Sequence, residues 1–273
     1  LKLRPLAYKV HPYQWPTIGK NIDHIAGASL EEVEDFFHRF YAPDNAILSI
    51  SGNITDEKAL ELVKKWFGDI PPARYKRKAL PMEPQQTEER RLVCEHNKVP
   101  ADAIYKVYHM GDRRSDNFYT CDTISDILSN GQSSRLYINL IKNGKLFSEV
   151  DAYITGDMDP GLFIFSGKLS EGVAIEEAEA AIQNEIDHFI EDPISERELQ
   201  KVINKTEARI SYSEINYQGK SANLAFFDYL GDVNLINSES TRYAEVSLDS
   251  IKQTARELFS AKNCSTLWYL KDK

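Results

Sequence analysis

The chain has 273 residues, of which 42% are hydrophobic and 27% charged, and its formal net charge is −9. These values exclude a mainly disordered or coiled-coil chain. The acidic balance argues against a nucleic-acid partner, which is bound through clustered Lys and Arg. No apolar run is long enough to predict a transmembrane helix, and the N-terminus lacks the apolar core of a signal peptide. We expect a soluble protein and leave its compartment, cytoplasm or periplasm, open.

Three cysteines, Cys94, Cys121 and Cys264, lie far apart in the sequence. So few and so widely spaced cysteines predict neither a disulfide framework nor a Cys-based metal site. We expect buried free thiols.

A proline-rich segment divides the chain, because four of the eleven prolines fall between Pro71 and Pro84. Proline blocks both helical and ladder hydrogen bonding. We therefore predict a linker at 69–87, which separates a first piece, 1–68, from a second piece, 88–273.

The first piece reads as the end of an α/β unit. Ser29 and Glu32 form a capping-box motif. Apolar residues then follow at helical spacing and predict a helix with one buried face; they are Leu30, Val33, Phe37 and Phe40. We predict a strand at 46–51 and a second helix, capped by Thr55, that ends at Phe67.

The second piece alternates strands and helices along its length. We predict strands at 91–95, 102–110 and 264–270, a β-hairpin at 147–169, and helices at 116–129, 133–142, 174–190, 196–215, 218–230 and 248–259. Ser195 and Glu198 form another capping-box motif at a helix start. The order predicts a two-layer α+β fold, in which helices cover one main face of a sheet rich in antiparallel pairs.

An internal repeat links the two pieces at an offset of 218 residues. Ser29 corresponds to Ser247 and Asn45 to Asn263, with apolar positions matching between them. A period of this size predicts two copies of one α/β unit. We expect one complete copy at 88–273, and at 1–68 the tail of a copy that would start about 130 residues before Leu1.

The histidines give no metal motif of their own. None of the six falls in His-x-x-x-His or His-x-x-Glu-His spacing, and Glu185 with His188 predicts an exposed ion pair rather than a ligand pair. No nucleophile elbow, Walker loop or dinucleotide fingerprint is present. From motifs alone the chain is an α/β protein of unassigned activity, and we expect no zinc in it.

Three segments carry a family resemblance in their order and spacing. They are HPYQWPTIG from His11 to Gly19, YAPDN from Tyr41 to Asn45, and SSRLY from Ser133 to Tyr137. In this layout the chain resembles the pitrilysin/insulinase-type zinc metallopeptidases, which include the mitochondrial processing peptidase. The resemblance covers nearly the whole chain and implies a metallopeptidase half built from two similar α/β domains.

The resemblance implies that zinc chemistry lies elsewhere in the full-length protein. In such enzymes an inverted His-x-x-Glu-His and a distant Glu bind zinc and activate water. All these positions precede the loop that matches His11 to Gly19, so no catalytic residue and no metal ligand is assigned here. The expected cofactor is zinc in the full-length protein and none in this chain.

The family also uses an Arg, and a Tyr seven residues later, to bind the substrate backbone and the oxyanion. By spacing these positions are Ile141 and Ser148, and neither can replace the Arg or the Tyr. Lys142 and Lys145 lie nearby, outside the register. The resemblance therefore implies a second family subunit that carries the Arg and the Tyr, or self-association, with a peptide or protein as substrate.

Three readings of function follow. The first is the C-terminal portion of a zinc metallopeptidase subunit, inactive alone, that helps to form the substrate chamber. The second is a non-catalytic scaffold of the same family, like the core proteins of a respiratory complex. The third is a peptide-binding module that uses the hairpin edge near Phe163. On the first reading we expect uncovered apolar faces near Leu3, Leu6 and Ile18.

Overall fold

A computed structural model of the chain describes residues 1–76, 78–96 and 99–271. These residues form two compact units, each assembled from segments that are separated in sequence. The first unit comprises Leu1–Pro16, Pro81–Thr206 and Thr241–Lys273, and the second comprises Thr17–Leu80 and Glu207–Ser240. The boundaries expected from proline content stay a prediction, and residue 77 of the expected linker lies outside the described residues.

Helices and strands alternate along the described residues. The helices are α1 (Leu3–Ala7), α2 (Ile22–Ala26), α3 (Leu30–Phe40), α4 (Asp56–Phe67), α5 (Phe118–Ser129), α6 (Ile175–Glu191), α7 (Glu196–Ser213), α8 (Tyr217–Tyr229), α9 (Glu239–Ala244) and α10 (Leu248–Leu258). The strands are β1 (Arg90–His96), β2 (Ala103–His109), β3 (Phe147–Ile154), β4 (Leu162–Leu169) and β5 (Cys264–Lys271). A π-helix covers Tyr137–Asn143, and 3₁₀ turns cover Pro12–Gln14, Pro43–Asn45, Val233–Ser238 and Ala261–Asn263.

The five strands form one sheet in the order β1-β5-β2-β4-β3. β1 runs parallel to β5, and the other pairs are antiparallel. The predicted hairpin is therefore found as β3 and β4, but the predicted edge near Phe163 is wrong. Phe163 lies in β4, which is bonded on both sides, so its backbone groups are already paired.

Helices α5, α6 and α10 cover one face of the sheet, as predicted. Phe259 follows α10 and lies within 5.1–5.5 Å, between ring centroids, of Tyr108, Phe163 and Phe165. All four rings are buried, and burying each apolar ring stabilises the fold by about 2 kcal/mol. This aromatic cluster fixes the helix layer on the sheet.

Two of the three cysteines are buried free thiols, as expected. Cys121 and Cys264 are buried, whereas Cys94 is only partly buried. Cys94 lies on β1, an outer strand of the sheet, where less of the protein surrounds each side chain.

The opposite face of the sheet carries the short helix α1. Ala7 and Tyr8 pack there against Val107, Leu162 and Ile164. Leu6 is 8% exposed and Leu3 packs against the same cluster, so the expectation that these two leucines are uncovered is wrong. Ile18, by contrast, is 82% exposed, as expected.

Polar contacts hold the residues that follow α1. The Glu83 carboxylate accepts the backbone N–H groups of Lys9, Val10 and His11 at 2.8–2.9 Å. Arg90 donates to the carbonyl oxygen of Ala7. Three successive N–H groups on one carboxylate explain why this loop-like sequence is built into the sheet's unit: each contact is a charge-assisted hydrogen bond.

Helix α3 begins at the predicted capping box, but its apolar face is not buried. The Ser29 hydroxyl accepts the N–H of Glu32 at 3.2 Å. Val33 and Phe37 are nevertheless 56% and 53% exposed, and no residue of α3 is buried. The prediction of a buried face is wrong for the described residues, because a helical pattern identifies an apolar face without supplying the surface that covers it.

The strand expected at 46–51 is also not formed. These residues belong to no strand, although Ala46 has extended backbone angles. A strand needs a neighbour for its N–H and C=O groups, and the described residues provide no ladder partner here. Ile47, Leu48 and Ile50 remain exposed.

Candidate functional site

The segment around positions 141 and 148 starts from a turn that α7 holds in place. Gly131 has a φ of +95°, which only glycine adopts easily. Lys201 of α7 donates to the carbonyl and hydroxyl oxygens of Ser133 at 3.3 and 3.1 Å. Lys205, one helical turn later, donates to the side chain of Asn130. The turn that opens the SSRLY segment is therefore positioned by two lysines.

An ion pair fixes the next residue, Arg135. Its guanidinium binds both carboxylate oxygens of Glu198, at 2.9 and 3.2 Å, and stacks 5.3 Å from the ring of Phe189. Glu198 also accepts the N–H and hydroxyl of Ser195, so the predicted capping box is found. Burial alone would raise the pKa of Glu198, but the contacts with Arg135 and Ser195 outweigh it and lower the pKa to about 2.

The helix predicted at 133–142 is wound mainly as a π-helix, from Tyr137 to Asn143. The N–H of Gly144 donates to the carbonyl of Asn139 at 2.8 Å, five residues back. Lys145 then adopts a left-handed backbone with φ 56°. The side chain of Asn139 donates to Glu185 of α6 at 2.9 Å. A π-helix holds an extra residue in its turn and recurs at functional sites, and apolar periodicity did not reveal it.

Positions 141 and 148 stand at the two ends of this irregular segment. Ile141 is partly buried near the end of the π-helix, and its side chain has no hydrogen-bonding atom. Ser148 is exposed at the start of β3, where the register shifts, and its hydroxyl donates to the carbonyl of Lys168 at 3.2 Å. Lys142 and Lys145 are exposed between them. Neither position presents a guanidinium or a phenol to a substrate.

The described residues bring no metal-ligand set together. Within 1–76, 78–96 and 99–271, no group of three His, Cys, Asp or Glu side chains is placed to hold a metal ion. Glu185 hydrogen-bonds to Asn139, and the structure gives it no ion pair with His188, so that predicted pair is wrong. Asn139, on the facing π-helix, is the partner that takes the Glu185 carboxylate.

His11 is the most enclosed histidine, at 2% exposure. Its Nδ1 accepts the N–H of Tyr13 at 3.2 Å, and its Nε2 lies 3.5 Å from a carboxylate oxygen of Asp159. These contacts attach the loop after α1 to the β3–β4 turn. They give the HPYQWPTIG segment a structural role in the sheet's unit.

The residues that hold the SSRLY segment were only partly found from the sequence. The Ser195–Glu198 motif was found because both partners are local. Its pairing with Arg135, and the contacts from Lys201 and Lys205, join positions more than 60 residues apart. No local signal marks such pairs.

Residues 27–206 match the family described as the peptidase M16 inactive domain. The match covers more than half of the chain, and the chain belongs to this family. A zinc protease of Helicobacter pylori, PqqE, is 26% identical to the chain over 271 residues, which are 96% of this chain and 59% of that protein.

Two solved structures share the fold. A protease from Helicobacter pylori superposes with a TM-score of 0.91 at 22% identity, covering 98% of this chain and 65% of that one. A peptidase M16 inactive domain from Pseudomonas fluorescens superposes with a TM-score of 0.88 at 13% identity, covering 100% and 64%. The chain thus spans about three fifths of the length of these relatives. In the described part of the chain, no helix combines the length and apolarity needed to cross a bilayer.

Proposed function

We propose that this chain is the non-catalytic C-terminal portion of a zinc metallopeptidase subunit and helps to form the chamber that encloses a peptide substrate. The observation that carries the proposal is the match to the M16 inactive domain, together with a relative named as a zinc protease. The side chains at positions 141 and 148 support it, since neither stabilises an oxyanion.

In this proposal zinc and the general base belong to a part of the full-length protein outside these residues. The relatives are longer than this chain, which supports a further region of sufficient size. Zinc there would polarise the peptide carbonyl and activate water. The substrate is a peptide or protein, and the compartment is left open.

The proposal includes a partner. An oxyanion donor is worth about 3 kcal/mol in the transition state, which is too much to lose without replacement. We propose that a second family subunit supplies the Arg and the Tyr, or that the protein self-associates. Ile141 and Ser148 are the positions at which this chain departs from an Arg/Tyr pair.

We also propose that 88–273 is one complete copy of the fold and that 1–68 completes a preceding copy. The exposed face of α3 supports this proposal. Val33 is 56% exposed, whereas Ile251, at the equivalent position of α10, is fully buried. The missing cover of α3 would be the remainder of the first copy.

The test is peptide hydrolysis by the full-length protein and by the 273-residue chain. We expect no hydrolysis by the chain alone, with or without added zinc. The full-length protein should cleave peptides only with zinc and with its partner subunit. The double substitution I141R/S148Y should reduce its dependence on the partner. Full activity of a strictly monomeric preparation would contradict the borrowed-donor argument.

The scaffold reading is a second candidate, because the same side chains at 141 and 148 also suit a subunit with no catalytic duty. The residues encoded before Leu1 separate the two. A His-x-x-Glu-His motif there supports the peptidase. A full-length sequence without it supports the scaffold, and a full-length protein that binds no zinc would agree.

A further inference from the structure

Half of the sheet face opposite α5 and α6 is open. α1 covers the part of this face around Val107, Leu162 and Ile164. Beyond α1 the face forms a concavity of about 460 Å³, bounded by the loop at 99–101. The pleat and the register place six side chains on its floor and rim: Tyr105, Tyr153, Tyr269, Glu149, Asp151 and Lys168.

Register brings the aromatic and acidic groups of this open face together. Ser166 on β4 pairs with Tyr105 on β2 and with Asp151 on β3, so these side chains share one row across three strands. Tyr153 follows Asp151 on the same side of β3 and is 44% exposed. Partial burial, with Tyr105 and Asp151 nearby, raises the pKa of Tyr153. The phenol therefore stays neutral beside the carboxylate at neutral pH.

The charges of the open face are not balanced. Lys168 lies 3.8 Å from Glu149, an exposed and weak ion pair. Asp151 makes no ion pair with any residue that the structure describes, and the next residue of the row, Ser166, is neutral. An apolar occupant would desolvate the Asp151 carboxylate without compensation. An anionic occupant would be repelled.

A cationic side chain satisfies both features of the open face. A guanidinium or ammonium group is attracted by the faces of phenol rings and pairs with a carboxylate. The volume suits one or two side chains rather than a folded partner, and the flat sheet face accommodates an extended backbone. The net charge of −9 would draw such a segment toward the protein.

We propose that the open half of this sheet face docks an extended peptide segment through an arginine or lysine side chain, held by Asp151 and by the rings of Tyr105 and Tyr153. The inference goes beyond the proposed function, since it concerns binding by this chain and needs no hydrolysis. It holds for the peptidase and for the scaffold alike.

The test is fluorescence anisotropy of the 273-residue chain with a fluorescein-labelled nine-residue peptide of Ala, Ser and Gly that carries one central arginine. A second peptide replaces arginine by citrulline, which keeps the shape and removes the charge. We expect the arginine peptide to bind about tenfold more tightly than the citrulline peptide. The difference should shrink as salt rises, because the site is exposed.

Two matched variants locate the binding. D151N keeps the side-chain shape and should reduce the preference for arginine to less than about twofold. E191Q removes the same charge from an exposed position at the end of α6 and should leave the preference unchanged. Y153L should weaken binding of both peptides if the ring contributes stacking. Circular dichroism of each variant confirms that it folds.

Equal binding of the arginine and citrulline peptides would overturn the proposal. An identical loss in D151N and E191Q would also overturn it, because the preference would then follow net charge rather than this surface. No binding at millimolar protein would have the same consequence. Loss of peptide hydrolysis by the full-length protein would bear on the proposed function and not on this inference.

Discussion

Asn45 and Asn263 make the same hydrogen bond 218 residues apart. The side-chain amide of Asn45 donates to the carbonyl of Phe40 at 2.8 Å, and that of Asn263 donates to the carbonyl of Leu258 at 3.0 Å. Each asparagine ends a 3₁₀ turn just after a helix that began at a serine cap. The repeat predicted from the sequence is therefore found at both ends of α3 and α10.

The two asparagines should differ in their effect on stability. Asn263 also donates to the carbonyl of His109 at 2.9 Å and so joins the end of α10 to β2. Asn45 is exposed and bonds only to its own helix end. We expect N263A to lower the free energy of unfolding by about 1–2 kcal/mol and N45A by about 0.5 kcal/mol or less. Urea unfolding measures both, and equal losses would contradict the role of the β2 contact.

The sequence predicted the sheet's unit well because its signals are local. Alternating or continuous apolar runs identified all five strands, and serine motifs marked the starts of α3, α7 and α10. The strand at 46–51 failed for a different reason. Its composition is that of a strand, but a ladder requires a partner that no local pattern supplies. Burial of α3 failed for the same reason.

The candidate site was predicted less well than the fold. Positions 141 and 148 came from spacing within a resemblance, and the structure places them around a π-helix that periodicity did not indicate. Winding is decided there by long-range contacts, such as Asn139 with Glu185. The open face around Asp151 could not be found from the sequence, because it depends on the register of three strands.

Glu198 should make stability depend on acid. Its folded pKa is about 2, below the usual value near 4.5. A lowered carboxylate pKa stabilises the fold above the unfolded pKa, and this contribution disappears as pH falls from about 4.5 to 2. The side chain is 32% exposed, so screening reduces the effect, and we expect E198Q to cost about 1 kcal/mol at pH 7.

A matched glutamate tests the Glu198 argument. Glu196 lies in the same first turn of α7 and is exposed. Thermal unfolding between pH 2 and pH 7 should show a flatter pH dependence for E198Q than for the parent chain, and an unchanged one for E196Q. An unchanged slope in E198Q would contradict the pairing with Arg135.

Glu179 should behave as the centre of a charge cluster between α6 and the sheet. Its carboxylate binds Arg91, accepts the indole N–H of Trp268 at 2.7 Å and lies 3.6 Å from Lys106. Lys106 is 4% exposed. Burial alone would raise the pKa of Glu179, but the contacts with Arg91, Lys106 and Trp268 lower it. We expect E179L to lower the free energy of unfolding by about 3 kcal/mol, because it leaves the Lys106 ammonium buried without its carboxylate.

The double variant K106M/E179L is the control for that prediction. Removing both charges leaves no unpaired buried ion, so we expect the double variant to be more stable than E179L alone. Chemical denaturation of the two single variants and the double variant completes the cycle. Additive losses would show that Lys106 and Glu179 do not depend on each other.

Val33 and Ile251 occupy equivalent positions in the repeat and give the sharpest test of the two-copy proposal. In this chain Val33 is 56% exposed and Ile251 is fully buried. We expect V33A to change the free energy of unfolding by less than about 0.5 kcal/mol and I251A to lower it by about 3 kcal/mol. In the full-length protein V33A should become costly as well, because the proposed first copy would cover that face. Unfolding measured on both lengths decides the matter. A V33A that remains neutral in the full-length protein would show that nothing covers α3, and the proposal of a completed first copy would fail.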